Sequence, residues 1–475
     1  MHWIDYVIFG IYFLGILGVG AWFYLKDTDK EEYFVGGRAI GAGHIGLSIV
    51  ATDVGGGFSI GLGGLGFIMG LSGSWLLFTG LFGAWLAAVV IVPKIKKIDA
   101  KAGMLTYPDF LAYKYGKQVA IFAAIISGIG YLAFTGGQIL AGAKLAAASV
   151  FSEIQGVSSL QFSLYIMAVI IIAYTTLGGI KAVIYTDTVQ WIILLIGLIF
   201  LGLPFAYVKL GGWNEIRNAL PESHFSLTHI SWFTLVNWAS TIIPIWFIAM
   251  TLYQRIYASK NEKEAKKAFF IAGIFEYPVM AFTGVALGML ARVAFPSSDP
   301  EMAMPLLLNS VLPVGISGIV LAAYFSAIMS TADSCLIASS GNFVNDILEK
   351  YFYKNKSEKS LIRLSQIATL VIGIIALVLA SAFQSVLEII LHAYSFMVSG
   401  LFIPTLFAYF SKKPHPGAAI SSMLSGGGST LFFIFADIDL PMQLDASVFG
   451  IFISAVVYMG VSKIKIHVRS DHKNR

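Results

Sequence analysis

The chain contains 475 residues, of which 57% are hydrophobic and only 12% are charged. Because a soluble domain carries about 25% charged residues, this composition excludes an ordinary soluble globular protein and predicts a chain embedded in lipid. The formal net charge of +5 is modest, and the single cysteine, Cys335, excludes an intramolecular disulfide framework.

The first apolar run, residues 3–24, predicts a retained membrane helix, because it lacks the basic segment and the small-residue cleavage site of a signal peptide. A membrane helix needs about 20 mostly apolar residues. Hydrophobic runs of this length predict an all-α polytopic membrane protein with about thirteen transmembrane helices. The predicted spans are 3–24, 43–71, 74–96, 119–150, 160–178, 183–208, 232–254, 267–294, 312–345, 362–382, 386–410, 416–436 and 446–462.

The basic residues follow the alternation of loops that these spans imply. If the N-terminus lies outside, 27 of the 31 lysines and arginines fall in inner loops or the C-terminal tail, with Arg255 assigned to the loop after the seventh span. Since cytoplasmic loops are rich in Lys and Arg, the pattern predicts an outer N-terminus and a cytoplasmic C-terminus. The short loops favour a bacterial-type plasma membrane protein, and the topology accounts for the basic residues without nucleic-acid binding.

Two spans carry helix-breaking residues. The second contains three consecutive glycines, Gly55 to Gly57, beside Asp53, and the seventh contains Pro244. Glycine weakens a helix and proline removes a backbone donor; glycines also allow close helix packing, but the adjacent carboxylate favours unwinding, since carboxylates inside membranes usually mark function. Because many transporters consist of inverted repeats with one broken helix each, we expect one transporter domain, 1–475. Its repeats would be 43–208 and 232–410, with accessory helices in 1–24 and 416–462.

The ninth span has a polar face. Ala327, Ser330, Thr331 and Ser334 are spaced to share one side of a helix. Hydroxyl oxygens suit a hard cation, and backbone carbonyls freed in the second span would add ligands without formal charge. From spacing alone, ordinary hydrogen bonding between helices explains the same residues.

Four ordered patterns carry a family resemblance: Phe34–Arg38, Ala51–Val54, Gly178–Gln190 and Ser326–Ser334, with Gln254–Arg255 as a further match. The chain resembles the sodium/solute symporter family, which includes sodium/glucose and sodium/proline cotransporters. The resemblance implies a LeuT-like five-plus-five inverted repeat that works by alternating access, with Na+ as the coupled ion. By position, the sodium ligands would be the carbonyl groups of Ala51, Val54 and Ala327 and the hydroxyl groups of Ser330 and Thr331.

The resemblance also assigns roles to acidic residues. Asp187 matches a carboxylate linked to sodium coupling in the family. With Ser334 and Asp333 it would form a second cation site, as in some relatives. Asp53 matches a carboxylate that would tune the first site electrostatically without binding the ion.

The solute site departs from the sugar-transporting members of that family. They carry polar residues along the broken seventh span, whereas residues 245–250 of this chain are largely apolar. The pattern therefore disfavours a sugar. Aromatic side chains in such helices more often serve packing than recognition. The candidate solute contacts are Thr52, Gly55, Phe58, Gln138, Trp246 and Tyr394.

These observations predict a sodium-coupled symporter that imports a small organic solute, with the lipid bilayer and the solute as partners and no obligate protein partner evident. A proton-coupled carrier of the same fold is the main alternative, with Asp53, Asp187 or Glu276 as the titrating group. A membrane enzyme is disfavoured because the sequence has no HExxH, GxSxG or paired-cysteine pattern. A channel would normally lack a coupled solute site.

Overall fold

The computed structural model describes residues 2–26, 35–152, 157–175, 180–352 and 358–463. Within these ranges the chain is helical, and the only β pairing is an isolated bridge between Ile40 and Ser259. Phe34, Gly178 and Gly179, which belong to the family patterns, lie outside the described residues.

The first part of the chain contains the α-helices up to residue 219. They are α1 (Trp3–Lys26), α2 (Ala42–Asp53), α3 (Gly55–Met69), α4 (Trp75–Val90), α5 (Val92–Ala102), α6 (Tyr107–Tyr115), α7 (Lys117–Ala148), α8 (Val157–Thr175), α9 (Ile180–Ile196), α10 (Leu203–Lys209) and α11 (Trp213–Ala219). A π-helical segment, Gly197–Gly202, joins α9 to α10.

The second part continues the bundle. Its helices are α12 (Trp232–Ile245), α13 (Met250–Ala258), α14 (Glu262–Ile274), α15 (Ala281–Ala294), α16 (Pro300–Val311), α17 (Ile316–Phe343), α18 (Glu358–Ala382), α19 (Val386–Phe410), α20 (Pro416–Phe435) and α21 (Ala446–Ser462). Two further π-helical segments, Phe275–Met280 and Val344–Phe352, follow α14 and α17.

Helices occupy each of the thirteen predicted spans. By length and composition, eight described helices can cross a membrane, or nine if the bent pair α12 and α13 counts as one span. The count of thirteen therefore stays a prediction. Helix α16 lies in a segment for which the sequence predicted no span.

Both predicted breaks occur. The second span is interrupted at Val54, between α2 and α3. The seventh bends by 43° between α12 and α13, and the turn from Trp246 to Ala249 begins two residues after Pro244. Because Pro244 cannot donate a backbone hydrogen bond to the preceding turn, the helix is weakened at its last turn and ends at Ile245. These two interruptions expose backbone groups inside the bundle.

Helix α17 lies at the centre of the molecule. In the span it forms with the π-helical segment after it, 94% of the most apolar window is buried, compared with 28% in α18. It packs against α2, α3, α7 and α9. An internal helix has no lipid-facing side, so its hydroxyl and carboxyl groups must find partners within the protein.

Candidate functional site

The hydroxyl face of α17 meets the break in the second span. The Thr331 hydroxyl donates hydrogen bonds to the carbonyl oxygens of Ala51 (2.8 Å) and Ala327 (3.0 Å). Ser330 donates to the Ala327 carbonyl at 3.1 Å. All four residues are buried. Four of the five predicted sodium ligands are thus linked by direct contacts.

Val54, the fifth predicted ligand, forms the break itself. It is fully buried, and its N–H group bonds to the Val50 carbonyl at 2.9 Å. The next residue, Gly55, has a φ of 43°, which side chains rarely allow. A Cβ atom there would lie 2.2 Å from the Thr331 hydroxyl oxygen. Gly55 therefore allows the left-handed backbone conformation at the break. Because it has no side chain, it also lets the break pack against Thr331 of α17.

Neutral oxygens alone make up this cluster. Carbonyl and hydroxyl groups suit a hard cation, and broken-helix carbonyls bind sodium in known transporters. In the structure the Thr331 hydroxyl group, which carries one proton, lies within hydrogen-bond distance of both carbonyl oxygens. A bound cation would require that proton to turn away, so that both oxygens present lone pairs.

A buried arginine adjoins the cluster, which corrects the sequence interpretation. Arg255 was assigned to an inner loop, but it is fully buried in α13. Its guanidinium group donates to the hydroxyl oxygens of Thr52 (2.6 Å), Ser48 (3.1 Å) and Ser334 (3.1 Å). It also lies 3.7 Å from the carboxylate of Asp187. The guanidinium group therefore supplies a fixed positive charge between α2, α9 and α17.

The residues of the predicted second cation site divide between two partners, Arg255 and Thr175. Asp187 accepts a hydrogen bond from Ser48 at 2.6 Å and faces Arg255, and Ser334 also contacts Arg255. Asp333 instead accepts a hydrogen bond from Thr175 of α8. Since the arginine already offsets the charge of Asp187, the described contacts do not gather these three residues around one cation. The second site stays a prediction.

Asp53 is at the edge of an aromatic cluster. The Tyr394 hydroxyl donates to its carboxylate at 3.2 Å. The Tyr394 ring stacks on Phe134 with centroids 5.1 Å apart and lies 5.9 Å from the Phe58 ring. Gln138, one turn along α7 from Phe134, accepts a hydrogen bond from the Gly57 N–H at 3.0 Å. Three of the predicted solute contacts, Phe58, Gln138 and Tyr394, thus meet at the break.

The other predicted solute contacts have structural partners. Thr52 accepts a hydrogen bond from Arg255, and Gly55 packs against the Thr331 side chain. The Trp246 ring is buried against Phe269, with centroids 5.8 Å apart, and against Gly83. These three residues shape the surroundings of the break rather than lining the aromatic cluster.

Sequence reasoning missed Arg255 and Phe134. Phe134 precedes Gln138 by four residues, so helical spacing alone places both on one face of α7, and this signal was available. No local signal separated Arg255 from the basic loop that follows it. Only its contacts with helices distant in the sequence show that the side chain turns inward.

A membrane-embedded bundle with two interrupted helices beside a buried polar cluster has the architecture of a secondary transporter. The chain belongs to the sodium:solute symporter family, whose model matches residues 33–426. The members it resembles are transporters, not enzymes, and sodium is the coupled ion that the family's description gives. Its multi-pass embedding in a membrane follows from the same match and the apolar helices.

Curated relatives match over nearly the whole chain. The high-affinity proline transporter PutP of Bacillus subtilis is 26% identical, with 97% of this chain and 99% of the relative covered. The osmoregulated proline transporter OpuE of the same organism is 25% identical, covering 96% and 94%. A sodium/proline symporter of Staphylococcus aureus is 26% identical, covering 98% and 93%.

Solved structures share the fold. A Na+-coupled sialic acid symporter in a substrate-bound outward-open state matches with a TM-score of 0.78 at 19% identity, covering 97% of both chains. Mhp1, a nucleobase-cation-symport-1 family transporter, matches with a TM-score of 0.58 at 12% identity, covering 92% of this chain and 95% of Mhp1. The two are LeuT-fold transporters, so the LeuT-like fold expected from the sequence is confirmed, while the assignment of the two repeats stays a prediction.

Proposed function

We propose that this protein is a sodium-coupled symporter that imports a small organic solute across the plasma membrane, with the N-terminus outside and the C-terminus in the cytoplasm. The observation that carries the proposal is the contact between the Thr331 hydroxyl and the carbonyl group of Ala51 at the break. Family membership supports sodium as the driving ion. The proline transporters among the relatives make L-proline the first solute to test.

Sodium would enter from outside and bind to the carbonyl oxygens of Ala51, Val54 and Ala327 and the hydroxyl oxygens of Ser330 and Thr331. By joining the break to α17, the ion would favour the form that accepts solute from outside. An ion shifts such an equilibrium only if it binds one form more tightly than the other. The two repeats would then rock around the site, releasing sodium and solute into the cytoplasm.

The double variant Ser330→Ala/Thr331→Ala tests the site. Losing two oxygen ligands to a charged ion should raise the sodium concentration needed for half-maximal effect by about tenfold or more, since each contact to a charged group contributes about 1.5–3 kcal/mol. The measurement is thermal stability of the purified protein across a sodium titration, with potassium keeping ionic strength constant. L-proline uptake into proteoliposomes gives a second readout.

Ser340→Ala is the matched control. Ser340 is also buried on α17 and also donates to the carbonyl group three residues earlier, but it has no contact with the break. It should keep the sodium response of the unmodified protein. An unchanged sodium response in the double variant would show that the site assignment is wrong. Uptake driven by a pH gradient without sodium would favour the proton-coupled alternative.

A further inference from the structure

Two lysines flank the end of α19, on the side of the bundle that we propose is cytoplasmic. The Nζ atom of Lys94 in α5 lies 3.8 Å from the centroid of the Phe410 ring and 5.9 Å from that of the Tyr409 ring. Phe110 of α6 stacks on Tyr409 with centroids 4.6 Å apart. Lys114 follows Phe110 by one helical turn, so it lies on the face of α6 that meets α19.

A third lysine, Lys463, follows directly after α21. Tyr458 of α21 stacks on Phe407 of α19 with centroids 3.9 Å apart, and its hydroxyl oxygen lies 3.1 Å from that of Tyr115 at the end of α6. Lys463 is one and a half turns, or about 7.5 Å, beyond Tyr458. The ends of α6, α19 and α21 therefore meet in one corner of the bundle. We call its basic residues the lysine corner: Lys94, Lys114 and Lys463.

Within the described part of the chain, no carboxylate forms an ion pair with the lysine corner. The acids of α5 and α6 have other partners, since Asp99 pairs with Arg38 and Asp109 pairs with Lys350. Helix α21 contains no acid, and Glu388, the one acid of α19, lies in its first turn, at the opposite end. The corner therefore carries a net positive charge.

A cytoplasmic position explains the sign of this charge but not the lack of a partner. Other lysines on the same side of the bundle have acidic partners: Lys266 is 2.6 Å from Glu262, and Lys350 contacts both Asp109 and Asp346. The helix ends at the corner offset only part of the charge, because a helix C-terminus is equivalent to about half a negative charge. An anion from outside the chain would complete the balance.

An apolar stripe leads along α21 to the corner. Phe452, Val456 and Met459 are 66%, 49% and 48% exposed, and their spacing places them on one face of α21 together with Lys463. Phe410, which lies beside Lys94, is 61% exposed. In a membrane protein such side chains face acyl chains, and basic residues at the end of a span lie at the level of the headgroups. A soluble anion would leave the stripe unused.

We propose that the lysine corner binds the phosphate group of an anionic phospholipid, with an acyl chain along the exposed stripe of α21. Lysine binds phosphate as a point charge, and the anionic lipids of a cytoplasmic leaflet attract basic groups next to membrane spans. Such a lipid would tie together the ends of α6, α19 and α21. This inference goes beyond the proposed transport function, and its test needs neither sodium nor a transported solute.

Native mass spectrometry of the purified protein in a nonionic detergent measures the binding. Dioleoyl phosphatidylglycerol is titrated in parallel with dioleoyl phosphatidylcholine, which has the same acyl chains and no net charge. The unmodified protein should bind phosphatidylglycerol at least about tenfold more tightly, because an uncompensated positive charge favours the anionic headgroup. Equal affinity for the two lipids would overturn the proposal.

The triple variant Lys94→Gln/Lys114→Gln/Lys463→Gln tests the residues. Its affinity for phosphatidylglycerol should fall by about a hundredfold, since each lysine near an anionic lipid surface contributes about fivefold. The triple variant with arginine at the same three positions keeps the charge and should keep the preference. Unchanged binding in the glutamine variant would show that the assignment is wrong.

Lys260→Gln/Lys263→Gln/Lys267→Gln is the matched control, because it removes the same charge from three exposed positions on another segment of the same side. It should bind phosphatidylglycerol like the unmodified protein. A loss as large as in the corner variant would show a general effect of net charge and overturn the proposal. Thermal stability without added lipid should be equal in all variants, since exposed substitutions usually change it little.

A soluble probe distinguishes a lipid from a free phosphate compound. Glycerol 1-phosphate carries the phosphate group without acyl chains, so it should not displace phosphatidylglycerol even at a hundredfold excess. Full displacement would show that the corner serves a soluble anion, which contradicts the role given to the stripe on α21.

Discussion

Arg255 brings a full positive charge into the interior of the helical bundle. Its guanidinium group is fully buried and contacts hydroxyl groups on α2 and α17. Asp187 is its carboxylate partner. A buried ion pair contributes little net stability, but removing one member leaves an uncompensated charge. The pair therefore acts as a positioning element that fixes Thr52 and Ser334 next to the proposed sodium site.

Removing the partner of Arg255 should be costly. Asp187→Asn is expected to lower the free energy of unfolding by about 3–5 kcal/mol, because it leaves the arginine buried without a counter-charge. The measurement is thermal stability in detergent. The double variant Asp187→Asn/Arg255→Gln should recover part of the loss, since neither charge is then buried.

A surface ion pair provides the comparison. Glu262 and Lys266 are partly exposed and 2.6 Å apart, so Glu262→Gln should cost only about 0–1 kcal/mol. If Asp187→Asn costs no more than this surface change, Arg255 does not depend on Asp187 for its charge balance.

At the scale of elements, the break between α2 and α3 depends on how closely two helices approach. A Cβ atom on Gly56 would lie 1.7 Å from Ile328 Cγ1 and 2.7 Å from the Ile328 Cα atom. Close packing and unwinding were alternative explanations of the glycines in the sequence. In the structure they occur together, because Gly55 adopts the positive φ while Gly56 makes the contact with α17.

Gly56→Ala should separate the break from α17. Since the added methyl group meets backbone as well as side-chain atoms, the variant should lose about 1–3 kcal/mol of stability and most of its sodium response. Sodium-dependent thermal stability and L-proline uptake measure both effects. Gly43→Ala is the control on α2, because a Cβ atom there meets nothing within 4 Å. A sodium response that survives in Gly56→Ala would contradict the role given to the contact.

At the scale of the whole molecule, two charged networks link helices at what the predicted topology makes the inner and outer ends of the bundle. At one end, Lys350 contacts Asp109 (2.5 Å) and Asp346 (2.7 Å), tying α6 to the π-helical segment after α17. At the other, Lys144 of α7 contacts Glu301 of α16 at 2.7 Å, and Glu301 accepts the first N–H group of α19. We expect alternating access to open these two networks in turn.

Lys350→Met should weaken the closure at the Lys350 end, which we propose is cytoplasmic, because it removes the only basic member of that cluster among the described residues. Cys335, the single cysteine, is buried on α17 and serves as a reporter. Its labelling by a water-soluble maleimide, followed by mass spectrometry, should rise several-fold. Lys413→Met, at an exposed position, should leave labelling unchanged, and an equally unchanged rate in Lys350→Met would contradict the closure.

The sequence by itself determined the membrane class, the helical character of the predicted spans, the two breaks and the hydroxyl face of α17. These features depend on local properties: the length of an apolar run, the backbone freedom of glycine, the missing N–H group of proline and the helical repeat. Each acts within a few residues of its own position. Thr331 and Ser330 could therefore be assigned to one face before any contact was known.

Only the tertiary structure decided which distant groups meet. It placed Arg255 among Ser48, Thr52 and Ser334, and it brought the Thr331 hydroxyl to the Ala51 carbonyl group. These pairings join helices far apart in the chain, so no periodic pattern encodes them. Their energies also depend on burial, since the same charges would be screened in water and are not screened in a dry interior. Packing therefore decided that the buried charge of Arg255 is balanced by Asp187 within the protein.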